Sequence, residues 1–443
     1  MCTACKSREC ELFWLHSALR REKQEHDHMT KTTIDRRWFI KQAAAGATIA
    51  FAYPSSRVLG ANDRVRLGII GAGARGQELM GEFLKVPNIE FVAVADVFTR
   101  RHNEAKKLAA GMKSFDDHRR LLDMKDVDAV IVATPLHCHS RHFLDTIAAG
   151  KDLYSEKTMT WSIEEAEGCR DAAKRSDRVI TIGLQHQSSG ALSDSKEWIK
   201  QGLVGKITQV ESWMSRNTPR GKPQWVRPVP PDCTSANVKW DSFLNGRSKR
   251  PFDPFKFINW RLYWEFSGGN VTENMVHQIA WIMRALDLQL PSGAYMSGGV
   301  FSEKDGREVP DTIAVTLDFP NDLVVTWQST FSNSRYGLGE RILGSHGTIE
   351  RLAGATDMIT GKSQSGLRYY PENANRPEGA ALEGETKDQS HMANFIECVR
   401  SRKEPNAPVE IGYRSAVAAH LANLSYRQKR RVTLESAAQA ARG

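Results

Sequence analysis

Hydrophobic residues along this chain change their spacing in a repeating way. Residues 65–70 (VRLGII) form an apolar, β-branched run of strand length, and the stretch that follows, to about Leu84, spaces its apolar positions at helical intervals. The same order returns in FVAVAD at 91–96, DAVIVATP at 128–135, a helical pattern at 140–149 and a short strand at 151–155. Strands alternating with helices predict a parallel, doubly wound sheet whose ligand lies beyond the carboxyl ends of the strands, where Thr134 and Pro135 fall. Further on, the spacing switches to two-residue alternation at 205–216, 311–319, 322–330 and 338–344. Pro320-Asn321-Asp322 reads as a hairpin turn between two of these strands, and helical patterns at 272–287 and 388–402 interrupt them. The proline-rich segment 217–258 predicts an excursion over the active-site mouth, and 371–388 a surface loop.

The junction after the first strand carries chemistry. Gly71-Ala-Gly73-Ala-Arg75-Gly76 opens the first helix: Gly71 permits a tight turn, Gly73 lets backbone approach a pyrophosphate, and Gly76 lets the helix pack on the strand. The second strand ends in Asp96, twenty residues beyond Gly76, where a carboxylate can accept hydrogen bonds from an adenosine ribose. Asp96 would repel a ribose 2′-phosphate, which favours NAD, although Arg100 and Arg101 could offset that repulsion for NADP.

Composition narrows the classes. With 443 residues, 40% hydrophobic and 26% charged, the chain suits two or three globular domains. A net charge of +9 raises the question of nucleic acid, but the basic residues are interspersed with 52 acidic ones and form no block interleaved with aromatics, so no nucleic-acid partner is expected. Seven cysteines without a regular framework do not describe a disulfide scaffold, and Cys2, Cys5 and Cys10 lack a second metal-ligand pair. Arg36 and Arg37, followed by a short apolar stretch and small residues near Gly60 and Ala61, match a twin-arginine export signal and are too weakly apolar for a membrane helix. Such a signal would begin at Met29, leaving 1–28 as an over-extended start. The mature protein is thus expected in the periplasm and free of the membrane, or in the cytoplasm if the signal does not function.

At residues 150–159 (GKDLYSEKTM) the chain resembles the Gfo/Idh/MocA oxidoreductase family, in which a Glu-Lys-Pro triplet follows this strand. The resemblance spans nearly all of residues 64–430. It takes in the glycine turn, Asp96, the Thr-Pro stretch ending at His139, Trp260-Arg261, Gly268-Gly269, the helix bearing His277, the His391-x-x-Asn394-Phe395 helix and Arg400-Ser-Arg-Lys-x-Pro405. It implies an α/β protein: an N-terminal Rossmann doubly wound parallel sheet, then an α+β domain with a large, mostly antiparallel open sheet whose outer face supports a homo-oligomer. The alternation after residue 204 agrees. Domains are expected at 1–61 (extension and signal), 62–183 (nucleotide binding), 184–430 (substrate and oligomerisation) and 431–443 (tail).

The resemblance also implies site residues. Glu156 and Lys157 fall on the triplet, where the lysine reaches the nicotinamide ribose and the reacting hydroxyl; such a lysine can orient the hydroxyl or relay a proton. His277 falls on the family's usual general base, and Glu273, four residues earlier on a helix from about Thr272, would fix the imidazole's tautomer. The full cofactor set is Gly71, Gly73, Arg75, Gly76, Asp96, Arg100, Thr134, Pro135, His139, Glu156 and Lys157. Two departures stand out: Thr158 replaces the triplet's proline, loosening the turn that presents Lys157, and Ala280 replaces an aspartate that follows the histidine in many relatives. Trp213, Trp225, Trp240, Trp260 and Trp264 crowd the long excursion; most should be core, yet indoles stack on sugar faces, and Asn259 and Arg261 can bond hydroxyls. A carbohydrate pocket involving Trp260, Arg261 and Gln187 is expected. His137 and His139 are taken to flank the cofactor, and Glu273 with His277 supply too few ligands for a metal.

The leading expectation is an NAD(P)-dependent oxidoreductase moving hydride between a sugar or cyclic polyol and a nicotinamide. Export demands a tightly held nucleotide. The same constraint suits a redox-neutral NAD-dependent glycoside hydrolase, and an inactive ligand-binding relative is the third reading.

Overall fold

β1 (Val65–Ile70) lies at the centre of a six-stranded sheet with β2 (Ile89–Ala95), β3 (Lys113–Phe115), β4 (Ala129–Val132), β5 (Asp152–Ser155) and β6 (Ile180–Ile182), in the order β3-β2-β1-β4-β5-β6. Every pairing is parallel. Every residue of β4 is buried, and β1 is buried except at Arg66, because helices cover both faces of such a sheet. These helices are α1 (Ala74–Phe83), α2 (Thr99–Leu108), α3 (His118–Leu122), α4 (His139–Ala148) and α5 (Ile163–Lys174). The strand order reverses between β1 and β4, which opens the crevice beyond Ile70 and Val132.

The computed structural model describes residues 64–218, 222–357, 359–373 and 380–437. The twin-arginine segment, Met29 and Cys2, Cys5 and Cys10 lie outside them. Cys138, Cys169, Cys233 and Cys398 are free and buried.

After α6 (Gly190–Lys200) comes β7 (Ile207–Ser215), the middle strand of a nine-stranded sheet. The excursion then contributes α7 (Trp240–Leu244) and α8 (Pro254–Ile258), and α9 (Val276–Ala285) follows. The rest of the sheet comprises β8 (Gly293–Gly299), β9 (Thr312–Phe319), β10 (Leu323–Thr330), β11 (Leu338–Gly344), β12 (Gly347–Thr356), β13 (Ser363–Pro371), β14 (Leu382–Glu383) and β15 (Val432–Thr433). Its order is β14-β13-β12-β11-β7-β10-β9-β8-β15, and only β7 with β10 is parallel. In β10, Leu323, Val325, Trp327 and Ser329 face the core while Val324 and Gln328 face out. The expected hairpin is present: Phe319 pairs with Leu323, and Asn321 and Asp322 take the positive φ that such residues tolerate in tight turns.

Three expectations need correction. Residues 431–443 are not simply a tail, since β15 adds an edge strand on β8 through Val432 and Ala294, burying Val432. The helix α10 (His391–Ser401) belongs in sequence to the second domain but buries Met392, Phe395 and Ile396 in the core beneath β1 and α1, with Phe395 edge-on to Phe83. The chain therefore returns to the nucleotide sheet before α11 (Val409–Gln428) packs against β8 and α9. The 217–258 excursion is also more than a cover. It docks on the end of β2, with Lys239 N donating to Val97 O (2.8 Å) and Phe98 joining Val238, Trp240, Phe243 and Phe257 in a separate aromatic core.

Candidate active site

The glycine turn is built for close approach. Gly71 has φ +89, and a Cβ there would lie 2.8 Å from Ala133 backbone; a Cβ on Gly76 would lie 2.1 Å from Gly71 O. Gly73 caps α1, and nothing lies within 4 Å of where its Cβ would be, so open space faces the helix N-terminus. These three positions fit a dinucleotide's pyrophosphate. Gly76→Val is accordingly expected to push α1 off β1, destabilising the protein by about 1–3 kcal/mol and abolishing nucleotide retention. Thermal unfolding and the nucleotide content of the purified variant measure this, and full retention would show that the turn does not hold the cofactor.

Asp96 accepts from Ala72 N (2.8 Å) through Oδ2 and from Phe98 N (2.9 Å) through Oδ1. Burial pushes this carboxyl up despite those two donors. Each oxygen keeps a second lone pair for a ribose hydroxyl. Arg100 does not wait for a phosphate: it pairs with Glu104 and Asp232, both at 2.8 Å, while Arg101 pairs with the other oxygen of Glu104 at 2.5 Å.

Arg75 and Glu156 meet each other at 2.9 Å, tying the glycine turn to the end of β5. Gly183 makes this possible, because a Cβ there would lie 2.9 Å from Glu156 Oε1. Thr134 and Pro135 lie half-buried at the crevice, as expected from their place after β4. His139, expected to flank the cofactor, has both ring nitrogens engaged by backbone carbonyls. It is 2% exposed, with Nδ1 2.7 Å from Thr158 O and Nε2 2.8 Å from Thr134 O, so it staples the segments after β4 and β5 from behind. His137 is likewise fully buried, 2.6 Å from Phe243 O.

Nor is the turn carrying Lys157 loose. Thr158 is 1% exposed, its hydroxyl donates to Thr272 O, and its carbonyl meets His139. The Lys157–Thr158 peptide is cis. Lys157 Nζ donates to Glu273 O (2.9 Å) and lies 3.5 Å from Glu273 Oε2, which also accepts from Arg261 Nε at 3.0 Å. Burial alone would raise the Glu273 carboxyl, but Lys157 and Arg261 reverse that and hold it at about 2. It is a carboxylate throughout the working range.

Glu273 is therefore not the partner of His277. Val271–Met275 forms a π turn ahead of α9, and the two cations draw the carboxylate to themselves. His277 Nδ1 is buried with no hydrogen-bond partner. Burial, with Lys157 nearby, holds its imidazole neutral well below the usual histidine range. A neutral imidazole with an unclaimed nitrogen is a proton acceptor. Its ring lies 5.4 Å from that of His186, whose pKa burial and Arg351 push down to about 3. Ala280 is buried in the α9 core and offers no relay.

Among the expected substrate residues, the Arg261 guanidinium lies 4.3 Å from the Trp260 ring centre, and Gln187 is 6% exposed with neither amide atom hydrogen-bonded. Asn259 is spent on the backbone of Arg227, accepting from its N at 2.7 Å and donating to its O at 3.2 Å. Trp240 is core, stacked on Phe243. Sequence reasoning missed Arg216, His186 and Asn274, which the fold brings to the same region; no motif marks any of them. Among the described residues, no group of three or more His, Cys, Asp or Glu converges as a metal site would, and no helix is long and apolar enough to cross a membrane.

Comparison with known proteins adds to this geometry. A model described as "Oxidoreductase family, NAD-binding Rossmann fold" matches residues 65–184, and one described as "Oxidoreductase family, C-terminal alpha/beta domain" matches 241–434. The chain is 23% identical over 381 residues to the myo-inositol 2-dehydrogenase of Thermotoga maritima, covering 84% of this chain and 99% of that protein. It is 28% identical over 153 residues to the glucose-6-phosphate 3-dehydrogenase of Bacillus subtilis, covering 34% of this chain and 43% of that protein. Among solved structures, the WlbA dehydrogenase of Bordetella pertussis in complex with NADH and UDP-GlcNAcA shares the fold, with a TM-score of 0.62 and 19% identity over 84% of this chain and 99% of that one.

Proposed function

The chain belongs to the Gfo/Idh/MocA family of NAD-binding oxidoreductases, and from that premise we propose that it oxidises a ring hydroxyl of a sugar, sugar derivative or cyclic polyol, with His277 as proton acceptor. The observation that carries this reading is the joint state of His277 and Glu273: a neutral imidazole with an unclaimed nitrogen, one turn from a carboxylate that clamps Lys157 and Arg261. The nicotinamide, when bound, supplies the hydride acceptor. Gly71, Gly73 and Gly76 admit its pyrophosphate, Asp96 its adenosine ribose, and Lys157 orients the substrate hydroxyl whose proton His277 takes. Glu273 positions Lys157 rather than exchanging protons itself.

NAD is favoured over NADP, because Glu104 and Asp232 already neutralise Arg100, and Glu104 also binds Arg101. The relatives' names support the substrate class, since they act on an inositol and a sugar phosphate. The outer face of the nine-stranded sheet exposes Tyr295, Val324 and Tyr370, which suits a homo-oligomer. The Arg36-Arg37 pattern supports export to the periplasm with the nucleotide already loaded.

Denaturing the purified protein is expected to release about one NAD(H) per chain. Adding the right sugar to the native protein should give a keto-sugar and bound NADH. Absence of nucleotide would overturn the tight-cofactor reading. Cleavage of a glycoside with no net redox change would replace the dehydrogenase by a redox-neutral hydrolase.

A further inference from the structure

We propose that Arg216 recognises an anionic group on the substrate, so that this site takes a sugar or polyol bearing a carboxylate or a phosphate. The inference rests on the hydride-transfer reading above. Arg216 follows β7 and is anchored there by its N donating to Thr330 O at 2.9 Å. Its Nη2 donates to Asn274 Oδ1 at 3.2 Å. Asn274 sits next to Glu273 and one turn ahead of His277. Its amide is oriented by a chain of bonds: Asn274 Nδ2 to Asn270 Oδ1, Asn270 Nδ2 to Ser329 Oγ (2.8 Å), and Ser329 Oγ to Met214 O (2.7 Å). With its nitrogen committed to Asn270, Asn274 presents oxygen to the guanidinium.

No carboxylate among the described residues meets Arg216. Glu273 is the acid that acts on it, and that charge is already shared by Lys157 and Arg261. Arg75, Arg307 and Arg351, also withdrawn from solvent, each meet a carboxylate within 3 Å, at 2.9, 2.6 and 2.6 Å. Arg227 adds another cation near Arg261, and the structure shows no ion pair for it among the described residues. The region around Glu273 is thus positive by more than one charge before any ligand arrives. Burying a guanidinium without a counterion is costly, and an anionic ligand removes that cost.

Arg216 also borders an open cavity of about 400 Å³, with Asn217, Gln224, Ser334, Gly337 and Gly354. That volume suits a small ligand. Arg216 is the one charged residue in its described lining, and the rest is amide, hydroxyl, backbone and a few apolar groups. Lys157, Glu273 and His277 are not part of that lining; Arg216 links it to their segment through Asn274. An arginine fork matches either carboxylate or phosphate oxygens.

The test is calorimetric binding to the nucleotide-loaded protein, with glucose, myo-inositol, glucuronate and glucose 6-phosphate as probes, for wild type, Arg216→Gln and Arg216→Lys. The wild type is expected to bind one of the two anions roughly 10- to 150-fold more tightly than the neutral sugars, the size of a charge-assisted hydrogen bond. Arg216→Gln should lose that preference with neutral binding unchanged, and Arg216→Lys should restore part of it. Which anion is preferred separates carboxylate from phosphate. Equal binding of anionic and neutral probes by the wild type, or equal weakening of both in Arg216→Gln, would overturn the assignment. Because binding is read without turnover, a wild type that oxidises a neutral sugar and shows no preference for either anion would sink this inference and leave the dehydrogenase reading standing. Absence of redox chemistry alongside an intact anion preference would do the reverse.

Discussion

Replacing His277 with alanine is expected to lower kcat by about 10²- to 10⁴-fold, the usual contribution of a positioned base, while the bound nucleotide stays in place. The nucleotide should survive because the residues proposed to cradle it, from Gly71 to Asp96, belong to a different sheet from the one α9 packs against. Turnover and nucleotide content of the same preparation are the two measurements, and an alanine variant with unchanged turnover would remove His277 from the mechanism. The pH profile gives a finer check. Burial and the charge on Lys157 keep the imidazole neutral well below its ordinary pKa, so wild-type oxidation should hold steady from pH 7 to 6 and fall only in more acid solution. Lys157→Met removes a charge that depresses the imidazole. The residual activity of that variant should therefore fail at a higher pH than the wild type's.

Acid is expected to unfold this protein steeply. Burial lowers the pKa of seven histidines: His137, His139, His142, His186, His277, His391 and His420. Burial takes His186 down to about 3 and His420 to about 4. A histidine depressed in the folded state contributes stability above its unfolded pKa of about 6.5, and that contribution is lost as pH falls toward the folded value. Below pH 6.5 the unfolded chain takes up protons that the native core refuses, at a cost of about 1.4 kcal/mol per pH unit for each such group. Asp96 and Glu165, raised by burial, run the other way, but they are two against seven. Since a folded domain holds only about 5–15 kcal/mol in reserve, melting temperatures should drop sharply between pH 6.5 and 5. A flat profile over that window would contradict the burial of these rings. His420→Gln, which replaces a ring bonded to Thr160 O at 2.9 Å, should flatten the slope by close to one proton.

Much of the architecture was legible because local periodicity and burial agree. The strands at 65–70, 91–96 and 128–135 are apolar on both faces, and the two-residue alternation of β9, β10 and β11 follows a sheet with one face in the core. Elements escaped where that agreement fails. β8 reads GAYMSGG, with glycines in place of β-branched residues. α11 is buried on nearly every side, so it carries no polar stripe to reveal a helical period. β15 is two residues long and has strand character only because β8 lies beside it.

The sequence by itself determined the glycine turn, the acid at 96, the position of Lys157 and the helix that bears His277, because each depends on a short span of chain whose backbone requirements are local. Tertiary structure decided what those residues touch. Glu273 lies four positions from His277 and was expected to hold it, yet ion pairs with Lys157, 116 residues away, and Arg261, 12 away, claim the carboxylate. His139 became a staple and Arg75 a partner of Glu156 for the same reason: a buried charge or ring nitrogen takes whichever partner the fold presents, and sequence spacing does not encode that proximity.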